Sequence, residues 1–317
     1  MKKILTTLAA CGVCWFATHS HAQAPYPSKP VTLLVPWVAG GGSDIVLRVL
    51  AEAAAKHLNQ RIVIENKPGA GGALAVQQMA ASAKPDGYTV AQLALGVFRL
   101  PHMTNTTFNP VNDLTWILNV AGYQFGTSVR ADAPWKTWDE LIAYVKKNPN
   151  KVSFGSPGSG TSLHLTMEDL SQKLGLDWVH VPYKGSAESA VALRSGQVQV
   201  QAGTPTWEWV EAGHTRVLVM WGLERSARAP AVPTLKELYG IVANSPGGIG
   251  GPKGMDPKIV KILHEAFRRA MDDPAFLKAL ERQGMERYYM VGEEYMKWVR
   301  RTADEEKRAV ERLGLKP

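Results

Sequence analysis

The sequence predicts an α/β protein in two lobes, each a mainly parallel sheet flanked by helices. Short apolar runs alternate with helical patterns along its length, which is how strands and helices layer on largely parallel sheets. Two glycine-rich loops, at residues 36–44 and 154–162, each follow an apolar run and precede a helical pattern. Glycines let the backbone approach a ligand closely, and the free N–H groups of a first helical turn face it with partial positive charge. Two such cradles far apart in one chain suggest two lobes closing on one small anion. A chain of 317 residues is long enough for both.

The first element is an export signal: Lys2 and Lys3, an apolar core over residues 4–17, and Ala22-Gln23-Ala24 as an A-x-A cleavage pattern. The apolar core is shorter than the ~20 residues a membrane helix needs. The run Leu8-Ala9-Ala10-Cys11 also resembles a lipobox, which would lipidate Cys11; an apolar core running on past it favours cleavage after Ala24. The mature protein is therefore expected in a periplasm. Both cysteines, Cys11 and Cys14, fall in the signal, so the mature chain has no disulfide, thiol nucleophile or thiolate metal site. Loss of Lys2 and Lys3 takes the formal charge from +8 to +6. That excess suits anion capture, but the basic residues form no stripe of the kind nucleic-acid binding needs.

Strand candidates follow at residues 31–35, 61–64, 88–93, 151–154, 178–181, 198–201 and 217–221, with a further strand-like run at 116–120. Ile45, Val46, Val49, Leu50 and Ala53 make one helical face; Ala187, Ala190, Val191 and Leu193 make a shorter one. The tail from 257 to 313 reads as almost entirely helical, broken near Pro274 and Gly284. Crossings between lobes are expected near residue 122 and near Ser245-Pro246-Gly247-Gly248. These give lobe 1 as 25–122 plus 246–317, and lobe 2 as 123–245.

Several motifs stand in a fixed order. Tyr26-Pro27-Ser28-Lys29-Pro30-Val31 precedes the first glycine loop, and Glu65-Asn66-Lys67-Pro68-Gly69-Ala70-Gly71-Gly72 follows it. Then come Pro85-Asp86-Gly87-Tyr88-Thr89, Gly158-Ser159-Gly160-Thr161-Ser162 with His164, and Val181-Pro182-Tyr183-Lys184-Gly185; residues 229–235 echo a further block. Taken together they resemble the extracytoplasmic solute receptors of tripartite tricarboxylate transporters, the Bug-type proteins, over essentially the whole mature chain. The resemblance implies a two-lobed periplasmic binding protein, a Venus flytrap, with a ligand carboxylate gripped between the lobes. It also implies the contacts: the backbone of Val38, Ala39 and Gly40, with Ser43, Ser159, Thr161 and Ser162.

The residues themselves add candidates and alternatives. Trp37 stands immediately before the cradle, either to stack on a planar ligand or to lid the lobe core. Arg99 and His102 follow the third strand, where a guanidinium would pair with a second ligand carboxylate in bidentate fashion; a surface arginine is the alternative. His164 either reaches the site or packs in the core. Asp44 reads as a helix cap, and Ser43 shares that ambiguity. The second loop has Walker spacing, but Thr161 replaces the lysine that would meet nucleotide phosphates. Trp207 and Trp209 read as packing residues. Where many relatives carry Gly-Gln-Val-Asp and another Asp a few residues later, this chain reads Gly196-Gln197-Val198-Gln199-Val200-Gln201-Ala202-Gly203, which points to a ligand without an amino group.

The function expected is capture of a small mono- or dicarboxylate, aromatic acids of the phthalate type included, and its delivery to the integral subunits of a tripartite tricarboxylate transporter. No cofactor or metal is called for: the histidines form no H-x-x-x-H or H-E-x-x-H grouping. A monomer is expected, with no nucleic-acid partner. A hydrolase would want G-x-S-x-G at a strand–helix elbow, and neither Ser156 nor Ser159 fits it. A binding protein serving a sensory receptor would carry the same ligand site.

Overall fold

Eleven strands in two sheets organise the described residues. The computed structural model describes residues 25–104, 106–222, 224–312 and 314. The expected export signal, with Cys11 and Cys14, lies outside them.

The first sheet holds β1 (Val31–Val35), β2 (Ile62–Asn66), β3 (Thr89–Leu93), β4 (Leu114–Gln124), β10 (Asn244–Pro252) and β11 (Met285–Met290), in the order β11-β4-β10-β3-β1-β2. The second holds β5 (Gly126–Arg130), β6 (Ser153–Ser156), β7 (Val179–Pro182), β8 (Val200–Gly203) and β9 (Thr215–Met220), in the order β7-β6-β8-β5-β9. Both sheets are mixed, where the sequence led us to expect mainly parallel ones. Pairing is parallel for β2-β1-β3 and for β7-β6-β8, the strands joined through helices. The strands that carry the chain between sheets, β4, β5 and β10, pair antiparallel with their neighbours.

Around the first sheet lie α1 (Gly42–Leu58), α2 (Leu74–Ser82), α3 (Gly96–Met103), α9 (Pro257–Ala270), α10 (Pro274–Arg282) and α11 (Gly292–Arg312). Around the second lie α4 (Trp138–Lys147), α5 (Ser162–Leu174), α6 (Ser186–Ser195), α7 (Trp207–Glu211) and α8 (Leu235–Tyr239). Helix starts follow local chemistry. Thr137 and Glu140 form a reciprocal capping box on α4, and Asp256-Pro257 and Asp273-Pro274 place a capping carboxylate before an N1 proline.

Burial explains the strand sequences. β1 is an apolar run buried along nearly its whole length, as a strand covered on both faces must be. On α1 the buried stripe is Val46, Leu47, Leu50, Ala53, Ala54 and Leu58, turned from the expected face so that Ile45 is exposed. Val191 on α6 is likewise exposed. One continuous apolar cluster runs from β1 and α1 through Tyr123 and Phe125 to Phe154 and Trp178 in the second lobe.

Three strands were not legible as strands, β5 among them, since no candidate run covers Gly126–Arg130. β10 reads Asn-Ser-Pro-Gly-Gly-Ile-Gly-Gly-Pro, a turn composition, yet it lies inside the first sheet between β4 and β3. Its glycines admit bulky neighbours: a Cβ at Gly248 would fall 1.9 Å from Tyr295 Oη, and one at Gly250 2.4 Å from Leu93 Cδ1. β11 interrupts the expected helical tail, opened by Gly284 at φ +62° and closed by Gly292 at φ +61°.

Candidate ligand-binding cleft

The C-terminal ends of β1 and β6 both run into glycine loops that open helices, α1 and α5, and the first turns of both helices line one cavity between the lobes. Ligands in open α/β sheets bind at such strand ends. The cavity is narrow, about 50 Å³. Loops from the two lobes meet around it: a Cβ on Gly71 would lie 3.4 Å from Ser159 O, and one on Gly185 2.9 Å from Val38 Cγ2.

In the first loop Gly40 takes φ +80° and Gly41 caps α1 from an extended conformation without a side chain. Asp44 sits one turn in rather than at the cap. Its carboxylate accepts Gly40 N at 2.9 Å, Arg48 Nε at 2.9 Å and Asn66 Nδ2 at 2.8 Å, and Asn66 also donates to Trp37 O. Burial pushes the Asp44 pKa up, but these hydrogen bonds outweigh it and hold the carboxyl below its ordinary value. Asp44 thus braces the loop, and the Gly40 N–H is already spent on it.

Trp37 lines the cavity and donates Nε1–H to Gln92 Oε1 at 2.9 Å; Gln92 in turn donates to Tyr123 Oη. Burial raises the Tyr123 phenol to about 12, so it stays protonated. Gly72, at φ +91°, leaves room for the indole: a Cβ there would lie 3.1 Å from it.

In the second loop Thr161 caps α5, accepting His164 N at 3.3 Å and donating to Gly158 O at 2.8 Å. His164 Nδ1 accepts Gly160 N at 3.1 Å, and its ring stacks on His180 with centroids 4.0 Å apart. His180 Nε2 lies 2.7 Å from the buried Ser156 Oγ. Burial, with Arg99 near His164 and His164 near His180, lowers both imidazoles to about 4. Both are neutral at pH 7, and both serve the loop's architecture.

Arg99 on α3 is buried and lines the cavity. Its guanidinium grips Glu306 of α11 from Nε at 2.5 Å and Nη2 at 2.8 Å. It also donates to Gly160 O at 3.1 Å and to Ser162 Oγ at 3.2 Å. The fork expected to meet a second ligand carboxylate is occupied by a protein carboxylate.

Of the sequence candidates, Trp37, Val38, Ser43, Arg99, Thr161 and Ser162 line the cavity together. Ala39 and Gly40 turn to the exposed outer side of the first loop, Ser159 borders a flanking opening, and His164 packs behind the second loop. His102 does not line the cavity; Trp207 is buried in the second lobe and Trp209 lies under Arg194. Gln199 and Gln201 also lie off the cavity: Gln199 accepts from Ser153, and Gln201 donates to Ser189 Oγ. The lining of the cavity itself contains no Asp or Glu. Sequence reasoning missed Leu95, Gly96, Tyr123, Phe125, Thr204 and Ser245, which also line the cavity. Position at the crossings marked Tyr123 and Ser245; nothing local marked Leu95, Gly96 or Thr204.

A family model described as "Tripartite tricarboxylate transporter family receptor" matches residues 46–315. The chain belongs to this receptor family. The "UPF0065 protein in gbd 5'region" of Cupriavidus necator is 50% identical over 315 residues, covering 98% of this chain and 95% of that one. Among solved structures, the periplasmic binding protein BugD is similar with a TM-score of 0.86 and 29% identity, over 92% of this chain and 100% of that one. MatC of Rhodopseudomonas palustris with bound malate is similar with a TM-score of 0.81 and 27% identity, over 90% of this chain and 100% of that one. The receptor thus has the two-lobed periplasmic binding-protein fold. Its family is one of solute-binding receptors, and family membership implies a periplasmic setting. Among the described residues no helix is long and apolar enough to cross a membrane.

Proposed function

We propose that this receptor captures a small carboxylate between its lobes and delivers it to the integral membrane subunits of a tripartite tricarboxylate transporter. The observation that carries this reading is the convergence of the α1 and α5 N-termini on one cavity, where N–H groups and hydroxyls of Ser43 and Ser162 surround the space a carboxylate would fill. The malate bound to MatC supports the ligand class. Val38, Ser43, Thr161 and Ser162 are assigned to the carboxylate, with Trp37 against its body; Ala39, Gly40, Ser159 and His164 hold the loops in shape around it.

The mechanism is hinge closure. Open lobes bind, the second loop completes the cage, and contacts made only in the closed form favour it. No bond is made or broken in this reading, and the buried Ser156 hydroxyl is engaged by His180 and Gly158. Export by a cleaved N-terminal signal and action as a monomer complete the reading.

Thermal shift followed by calorimetry tests it, using aliphatic and aromatic carboxylates, amino acids, sugars and phosphates. A carboxylate well above its dissociation constant should raise apparent stability by about 3 kcal/mol. Stabilisation by sugars or phosphates with none by any carboxylate would refute the ligand class. Copurification of the ligand-loaded receptor with transporter subunits tests delivery.

A further inference from the structure

Among the described residues, Arg99 is the one charged side chain that lines the cavity. Its side chain is 4% exposed and its partner Glu306 is 14% exposed, so the pair is largely shielded from water. Glu306 fills the guanidinium fork, and Gly160 O and Ser162 Oγ take N–H groups on its other side. The arginine charge is offset before any ligand arrives. What remains to meet an anion is the N-termini of α1 and α5, each equivalent to about +0.5 charge. Their sum is about one positive charge, the complement of a single carboxylate.

We propose that the cleft is built for a monoanion, a small monocarboxylate with an uncharged body, in preference to a dicarboxylate. This rests on the carboxylate reading above and narrows it. A second carboxylate in the same cavity would leave water with no free cation to receive it, and an unpaired buried charge is heavily penalised. Lys184 and Arg282 border flanking openings, but both are exposed, and an ion pair formed in water adds little. An ammonium group fares no better, since no acidic side chain lines the cavity. The apolar surfaces of Trp37, Leu95, Phe125 and Leu163 suit an uncharged body.

Calorimetry at neutral pH with hexanoate and adipate, matched in carbon count, tests the proposal. The wild-type receptor should bind hexanoate about tenfold or more tighter than adipate, because only adipate buries a second charge. Glu306→Gln frees the Arg99 fork, and adipate should then gain about tenfold or more relative to hexanoate. The double variant Arg99→Gln/Glu306→Gln restores a lining with no net side-chain charge and should again prefer hexanoate; it carries the test if circular dichroism finds the single variant unfolded. Adipate binding as tightly as hexanoate in wild type overturns the proposal, as does an unchanged preference in folded Glu306→Gln. If neither acid binds while a sugar or phosphate does, the carboxylate reading itself fails and the proposal falls with it.

Discussion

Gly96→Ala strikes the point where the binding cleft is most tightly built. A methyl group at Gly96 would sit 2.1 Å from Gly71 O and 2.8 Å from its carbonyl carbon. Ordinary contact begins near 3.4 Å, so the overlap is about 1.3 Å. No flexible side chain can yield, because the obstacle is the backbone of a tight turn, Ala70–Gly72, in which Gly71 and Gly72 both take positive φ. Overpacking usually costs about 1–3 kcal/mol, and a backbone obstacle places this site at the upper end, about 3 kcal/mol. The cost has two outlets. If the turn holds, the first lobe is destabilised, which urea unfolding reads as a lower midpoint at unchanged slope. If the turn gives way, it moves where it abuts Ser159 and Gly160 of the other lobe, and the closed form suffers. A loss of about 2 kcal/mol there weakens ligand binding about thirtyfold by calorimetry. Stability within about 0.5 kcal/mol of wild type, together with affinity within about threefold, would refute the reasoning.

Three further outcomes are expected. The His164–His180 pair should make stability pH-dependent. With both imidazoles lowered from 6.5 to about 4, the folded protein binds fewer protons than the unfolded chain in that window. Stability is therefore flat above about pH 6.5 and falls as pH drops toward 4. The loss is on the order of 3 kcal/mol from His164 and less from His180, which partly meets solvent, and His164→Asn/His180→Asn should flatten the curve. Asp44→Ala leaves the Gly40 N–H and the Asn66 amide without their shared acceptor and should cost about 2–4 kcal/mol in urea unfolding; a neutral effect would show that water replaces the carboxylate without loss. Gly248→Ala, whose Cβ would fall 1.9 Å from Tyr295 Oη, should cost about 2–3 kcal/mol. Adding Tyr295→Phe should return part of that loss, and a double variant no better than Gly248→Ala would locate the clash elsewhere.

Much of the cleft was legible because its chemistry is local. A buried strand, a glycine loop and a hydroxyl at the head of a helix are contiguous in sequence, and both cradles opened onto the cavity. Arg99 was flagged by its place after the third strand, but its partner was invisible: Glu306 lies 207 residues away, and no local pattern pairs them. That single long-range contact changes the site from one that welcomes a second carboxylate to one whose cation is already spoken for. The stretch 196–203 marked where acids are missing, yet Gln199 bonds Ser153, Gln201 bonds Ser189, and neither side chain lines the cavity. β10 escaped notice because its composition answers to its neighbours. Strand propensity favours side chains that fill a pleated surface, whereas here Tyr295 and Leu93 fill it from outside, and glycine is what admits them. β11 was lost for a related reason: Met-Glu-Arg-Tyr-Tyr-Met has no clean alternation, and its pairing with β4 decides its conformation.

The passage between the lobes has a mechanical side. The outgoing path at Phe125 and the returning path at Trp221 and Ala243 are tied by main-chain bonds, Trp221 N to Phe125 O at 3.0 Å and Ala243 N to Trp221 O at 2.9 Å. Linkers joined in this way form a ribbon, and a ribbon flexes readily about one axis while resisting shear and torsion. In the proposed hinge closure, such a tie would confine the lobes to something near a single angular coordinate. With each such closure Gly71 would return to Ser159 and Arg99 to Ser162 with little searching, so the entropy of finding that alignment would be spent once, when the chain folds, and not again with each ligand.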